Sequence, residues 1–147
     1  MDSNTSQLSS TAAIRFVTAG NATITLVSLK TGARYTYQIR ESELDQRGRK
    51  VWFVGLLTGS DNETSYSYIG IISQDMSFRT TAKTRLPISA PSVVAFGWTW
   101  NRLTTYQPTN GLEIWHSGKC GRCGRKLTVP ESIASGFGPE CSEKLAA

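Results

Sequence analysis

The residues of this chain best equipped for chemistry lie together towards its C-terminal end: His116, Cys120, Cys123 and Cys141, the only histidine and all three cysteines of the sequence. Thiolate and imidazole are ligands that a tetrahedral zinc ion takes. Cys120-Gly-Arg-Cys123-Gly has the spacing of a zinc knuckle, in which glycine permits a tight turn and backbone N–H groups point at sulfur. His116 stands four residues ahead of Cys120, and 17 residues separate Cys123 from Cys141. Both spacings suit one structural zinc ion held by His116, Cys120, Cys123 and Cys141. The competing chemistry is a redox Cys-x-x-Cys, which normally opens a helix after a strand in a βαβ unit, and no such pattern surrounds Cys120. Three cysteines cannot all pair within one chain, and a reducing compartment disfavours disulfides, so metal is the better account of them.

A site filled by three thiolates and an imidazole leaves no position for water, and with His116 used as a ligand no histidine remains for acid–base work. The zinc-deaminase pattern is absent, because Ser117-Gly118 follows the histidine and no proline precedes the Cys-x-x-Cys. No P-loop or dinucleotide fingerprint appears. Asp61, Glu63 and Asp75 fall in expected turns and read as solvated carboxylates. The expectation is a non-enzymatic protein with no small-molecule substrate.

The elements that must position these residues are mostly strands. With 39% hydrophobic and 18% charged residues, the chain can bury a core. No apolar run approaches the roughly 20 residues of a membrane span. The opening is polar, with Asp2 where a signal peptide would carry a base, so a cytoplasmic location is expected. Asn21-Ala-Thr and Asn62-Glu-Thr match the glycosylation pattern but carry no meaning without export.

Residues 1–11, rich in Ser, Thr, Asn and Gln, read as a flexible lead-in, 12–110 as a β-rich domain and 111–147 as a zinc-knuckle module. Strands are expected at 14–17, 22–29, 33–40, 51–58, 65–72 and 76–81. The third alternates Tyr35, Tyr37 and Ile39 with polar residues; the fourth reads as more fully buried. A hairpin turn is expected at 59–64. One long helix is predicted at about 90–104, opened by a serine cap and Pro91. Its apolar stripe is Val93, Phe96, Trp100 and Leu103, widened by Val94 and Trp98, and Gly97 suggests a close backbone approach. Gly111–His116 is a strand leading to the knuckle. Thr128-Val-Pro-Glu131 forms a capping-box pattern for a short helix that Gly136 ends, and Pro139 opens a last helix with Cys141 in its first turn. The fold class is α+β: an antiparallel sheet or small open barrel with one packed helix, plus a knuckle like a treble clef.

The stretch from Cys120-Gly-Arg-Cys-Gly-Arg to Gly138-Pro-Glu-Cys141 resembles a small-domain family of unknown function found largely in bacteriophage, prophage and plasmid proteins. More loosely, Phe53–Tyr68, Phe78, Ala90-Pro-Ser and Trp115-His116 are similar to full-length phage proteins of that group. The resemblance implies a mobile-element origin, a bacterial host and a metal knuckle, and supplies no activity.

The partner is sought in the charge. At +5 net, the chain attracts polyanions at long range. Lys119, Arg122, Arg125 and Lys126 surround the knuckle as candidate phosphate contacts. Arg79, Lys83, Arg85 and Arg102 lie in a stretch without acids between Asp75 and Glu113. Two partner classes follow. One is nucleic acid. The other is a host nucleic-acid-handling or defence complex that the protein would inhibit, through a sheet edge or an aromatic face such as Tyr35, Tyr37, Tyr66 and Tyr68. The plainer reading leaves those tyrosines, like Trp98 and Trp100, as packing groups.

Overall fold

Alternating side chains build one antiparallel sheet whose apolar face is covered by two helices. In the computed structural model, which describes residues 6–44, 46–61, 64–128 and 130–146, the elements are β1 (Ser6–Gln7), α1 (Ser10–Val17), β2 (Asn21–Ser28), β3 (Arg34–Glu41), β4 (Trp52–Leu57), β5 (Tyr66–Ile72), β6 (Phe78–Arg79), α2 (Pro91–Thr104), β7 (Leu112–His116), α3 (Pro130–Ser135) and α4 (Pro139–Ala146). The strand order is β1-β7-β2-β3-β4-β5-β6, with every pairing antiparallel. The α+β expectation holds, as an open sheet rather than a barrel.

Period-two alternation sends Ala22, Ile24 and Leu26 of β2, Tyr37 and Ile39 of β3, and Trp52, Val54 and Leu56 of β4 to the same buried face. The helices seal it with apolar contact and with bonds for three polar tips of large aromatic side chains. Tyr37 donates its hydroxyl to Ser92 O of α2 at 2.5 Å, Trp52 Nε1 donates to Thr18 O behind α1 at 3.2 Å, and Trp100 Nε1 donates to Met76 O at 2.7 Å. In α2, Val93, Phe96, Trp100 and Leu103 are buried as the periodicity requires.

Several expectations change. Ile14–Val17 is the second half of helix α1, not a strand: Ser9 caps it by accepting from Ala12 N, and Ala13, Phe16 and Val17 bury one helical face. Of the expected lead-in, residues 1–5 lie outside the described residues, Ser6–Gln7 pairs with His116 and Trp115, and Ser10 and Thr11 open α1. The strand at 51–58 is half-buried, with Phe53 46% exposed. That expected at 76–81 shortens to Phe78–Arg79, because Met76 turns the chain at φ 69°. Val94 and Trp98 are exposed and do not widen the stripe of α2; the Arg102 guanidinium lies 5.2 Å over the Trp98 ring. The N-cap of α2 is Ala90, with no side-chain bond, ahead of Pro91. Gly97 meets the Phe78 ring at ordinary contact distance, since a Cβ there would stand 3.5 Å away. Asn62 and Glu63 of the expected hairpin turn, and Val129 of the expected capping box, lie outside the described residues.

β7, the expected start of the zinc module, runs inside the sheet between β1 and β2. Cys120, Leu127, Phe137 and Cys141 belong to the same apolar core as the helices and strands. The cysteine-bearing segment therefore shares the core of the sheet and helices.

Candidate metal centre

Past His116 the chain folds back on itself in a short hairpin. Lys119 bridges Lys126, Leu127 N donates to Gly118 O at 2.8 Å, and Cys120 N donates to Arg125 O at 2.8 Å. The turn closes with Gly124 N on Cys120 O at 2.8 Å and Gly124 at φ 79°, a conformation glycine adopts without steric cost. After the hairpin, α3 ends at Gly136, φ 82°, whose N donates to Ser132 O. Pro139 then opens α4, which carries Cys141 in its first turn.

The three cysteines converge. The Sγ atoms of Cys120, Cys123 and Cys141 all lie within 4.8 Å of one another, and none is in a disulfide. Cys120 and Cys141 are buried and Cys123 is exposed. Burial opposes ionisation of Cys120, but backbone N–H groups of Cys123, Gly138 and Arg122 directed at its sulfur outweigh it and bring the thiol down to about 7. The Gly138 bond measures 3.4 Å, and Arg122 donates to Cys141 Sγ at 3.6 Å. Cys123 is pushed up, by desolvation and by sharing hydrogen bonds with the other two thiols. Three converging sulfurs, one poised to ionise near neutrality, could hold a metal ion.

His116 stands apart from this group. It is 1% exposed, and both ring nitrogens are engaged: Nδ1 accepts from Gly118 N at 3.0 Å, which leaves the proton on Nε2 to donate to Ile133 O of α3 at 2.5 Å. Among the described residues, only the three cysteines bring ligand atoms together here. The imidazole instead ties the end of β7 to the hairpin and to α3. Burial holds its pKa below the usual value, with the bond to Ile133 acting the other way. The unfolded chain binds a proton near pH 6.5 that the folded chain refuses, so stability falls as pH drops below that value. With a chelator present, the wild-type melting temperature should fall between about pH 7.5 and 5.5, and His116→Gln should fall less over the same interval. Parallel curves would show that His116 does not titrate on unfolding.

The feature the sequence reading missed is Phe16. Its ring, fully buried, stacks on His116 at 5.7 Å and meets Phe137 at 5.7 Å. A Cβ on either Gly121 or Gly136 would stand 2.7 Å from the same ring. The two glycines therefore form a slot for an aromatic delivered by α1. The helical spacing of Ala13, Phe16 and Val17 was the available signal.

The thiols open into a cleft of about 490 Å³, whose lining includes Arg122, Arg125, Lys126, Glu140 and Lys144. Arg125, Lys126 and Lys144 are exposed and Arg122 is half-buried, whereas Lys119 does not line it. The four tyrosines considered as one face do not share one: Tyr37 is buried, Tyr35 packs on the helix side, and Tyr66 and Tyr68 are on strand β5 opposite Leu57 and Gly55.

No helix among the described residues is long and apolar enough to cross a membrane. No curated protein and no solved structure matches the chain. Residues 115–146, the end of β7 and the whole cysteine-bearing segment, match a family of unknown function, DUF6011.

Proposed function

We propose that this chain is a zinc-stabilised, non-enzymatic nucleic-acid-binding protein of a mobile genetic element. Zinc is the metal that suits a donor set dominated by thiolates. Zn–S bonds of ~2.3 Å in a tetrahedron put sulfurs about 3.8 Å apart, a spacing that the clustered Sγ atoms of Cys120, Cys123 and Cys141 can take up. A knuckle hairpin followed by a ligand on the first turn of a helix is the arrangement of a treble clef. His116, the fourth ligand expected from the sequence, is bonded instead to Ile133 and Gly118; in this reading the ion would be held by the three cysteines and would act as a staple.

The observation that carries the binding reading is the company the thiols keep. Arg122, Arg125, Lys126 and Lys144 line the same cleft. Three thiolates around one dication leave about one negative charge and Glu140 of the same lining adds another, and the four cations exceed the two. Arg122 is engaged by Cys141 Sγ, so in this reading the exposed Arg125 and Lys126 are the ones that take phosphate.

The test is fluorescence anisotropy of zinc-loaded protein with mixed-sequence DNA and RNA over a range of salt. Affinity should fall steeply with salt. Arg125→Ala with Lys126→Ala should weaken binding and flatten the logarithmic salt slope by about 1–2. An absence of binding at low salt would sink the proposal. A host protein retained on the immobilised chain after nuclease treatment would then favour the inhibitor class.

A further inference from the structure

We propose that the sheet face turned away from the helices is a platform for single-stranded nucleic acid, crossed from the knuckle at one end to β6 at the other. This rests on the nucleic-acid reading above and adds to it the site and the form of the ligand. The bonds from Tyr37, Trp52 and Trp100 tie α1, α2 and their flanking loops to one face of the sheet. On the other face Thr23, Thr25, Thr36 and Gln38 are half-buried and Arg34 and Arg40 exposed.

Strand register aligns one cross-strand row on that open face: Asn21 opposite Arg40, Arg40 opposite Phe53, Phe53 opposite Ile71, and Ile71 opposite Arg79. Arg40 and Arg79 are exposed; between them Phe53 leaves 46% of its surface in water, in a strand whose alternate side chains are buried, while Ile71 beside it is 9% exposed. The Tyr68 ring stands 6.4 Å from the Phe53 ring at 59°, its hydroxyl bonded to Thr81 Oγ1 at 3.0 Å. An aromatic pair with one exposed ring, flanked by guanidinium groups, has the composition of a base-stacking site: the ring takes the base and the arginines take the phosphates. Arg40 and Arg79 lie three strands apart, roughly 14 Å at ~4.8 Å per strand, which suits a short run of backbone rather than one ion.

Charge selects the occupant. Of the strand residues on this face the one carboxylate is Glu113, which lies across Val27 from Arg34, away from the Arg40–Arg79 row. Beside Phe53 and Arg79 opens a cleft of about 600 Å³ that Arg49, Lys50, Glu43 and Asp75 also line. Asp75 there remains an anion, its charge held by Ser77 N at 3.1 Å and Ser77 Oγ at 2.7 Å, and Lys50 pairs with Glu41 at 2.6 Å, so the cations offered to a phosphate here are those of the Arg40–Arg79 row. The row also meets the proposed phosphate site. Asn21 N donates to Gly121 O at 2.9 Å, and Asn21 Nδ2 stands 2.5 Å from where a Cβ on Gly124 would be, next to Arg125. Knuckle and platform therefore meet at Asn21, beside Gly20, where the Glu41 carboxylate is paired with Lys50. A duplex keeps its bases stacked inside and cannot present one to Phe53, which is why the ligand is a single strand.

The experiment compares a short mixed-sequence oligonucleotide, single-stranded and as duplex, against zinc-loaded full chain. Tighter binding of the single strand is expected. Phe53→Ala should weaken it about fivefold to a hundredfold without changing the salt slope. Phe53→Leu, which keeps an apolar side chain at an exposed position, should weaken it similarly, so that loss of folding is separated from loss of stacking. Arg40→Ala with Arg79→Ala should flatten the slope by about 1.4, at roughly 0.7 per phosphate. Wild-type affinity in the Phe53 variants, with binding lost in Arg125→Ala/Lys126→Ala, would overturn the platform and leave the knuckle reading standing. Tighter binding of duplex would overturn it as well. No binding of either form would overturn both.

Discussion

Cys123→Ser is expected to reduce bound zinc from one ion per chain to none and to unfold the segment after β7, with the damage spreading to α1. The position makes this a clean measurement. Cys123 is exposed, so serine leaves no cavity and buries no unpaired hydroxyl, and any loss of stability reports the metal alone. Cys120→Ser should release the ion as well, but it also replaces a buried thiol that packs against the core with a smaller, more polar group, so its loss of stability mixes metal with packing. Structural zinc contributes an apparent ~10–16 kcal/mol in small zinc modules at neutral pH. Here part of that free energy is already secured by packing against Phe16 and β7, so the metal-free chain should keep its central strands and lose hydrogen-exchange protection in residues 117–146 and in α1. Stoichiometric zinc retained in both variants, measured by elemental analysis of desalted protein, would refute the assignment of the ligands.

How much of this could be read beforehand depends on whether a signal is periodic or relational. The strands β2 to β5 and the helix α2 announce themselves because one face is apolar and the other wet, and the Cys-x-x-Cys spacing marks where the sulfurs that could hold a metal converge. Ile14-Arg-Phe-Val misleads because branched and aromatic residues favour strands in isolation, whereas tertiary contact decides: Phe16 is helical so that its ring reaches the slot between Gly121 and Gly136. Ser6–Gln7 carries no apolar pattern, and its strand exists only because β7 offers an edge. His116 illustrates a different limit. Its spacing from Cys120 suits a ligand, but the Ile133 carbonyl and the Gly118 N–H that engage its ring come from a helix and a turn that local spacing does not place. Trp98 and Trp100 are separated by the same kind of information. Two residues apart on a helix they point in different directions, and only the sheet below α2 determines that Trp100 is the one buried.

Phe16→Ala should be the most destabilising single truncation in the molecule's metal-bearing half, by about 3–5 kcal/mol, a loss on the order of 10 °C in melting temperature for a chain of this size. The ring joins α1 to the sulfur-bearing hairpin, to His116 and to Phe137, so its removal leaves a cavity with walls from four segments that cannot all collapse inward. The slot makes a sharper prediction than the cavity. Gly121→Ala puts a methyl group 2.7 Å from the Phe16 ring in the undisturbed structure, and this overpacking should cost about 1–3 kcal/mol. In a Phe16→Ala background the same methyl enters vacated space, so Gly121→Ala should there be neutral or stabilising. The two substitutions must then couple in a double-mutant cycle, by at least the size of the overpacking cost. Zinc affinity, read by competition with a chelator, should follow the same pattern, because the hairpin that presents Cys120 and Cys123 rests on this ring. Strict additivity in stability would mean that Gly121 and Phe16 do not form a slot, and that the knuckle is held to the sheet by β7 and the Asn21–Gly121 backbone bond instead.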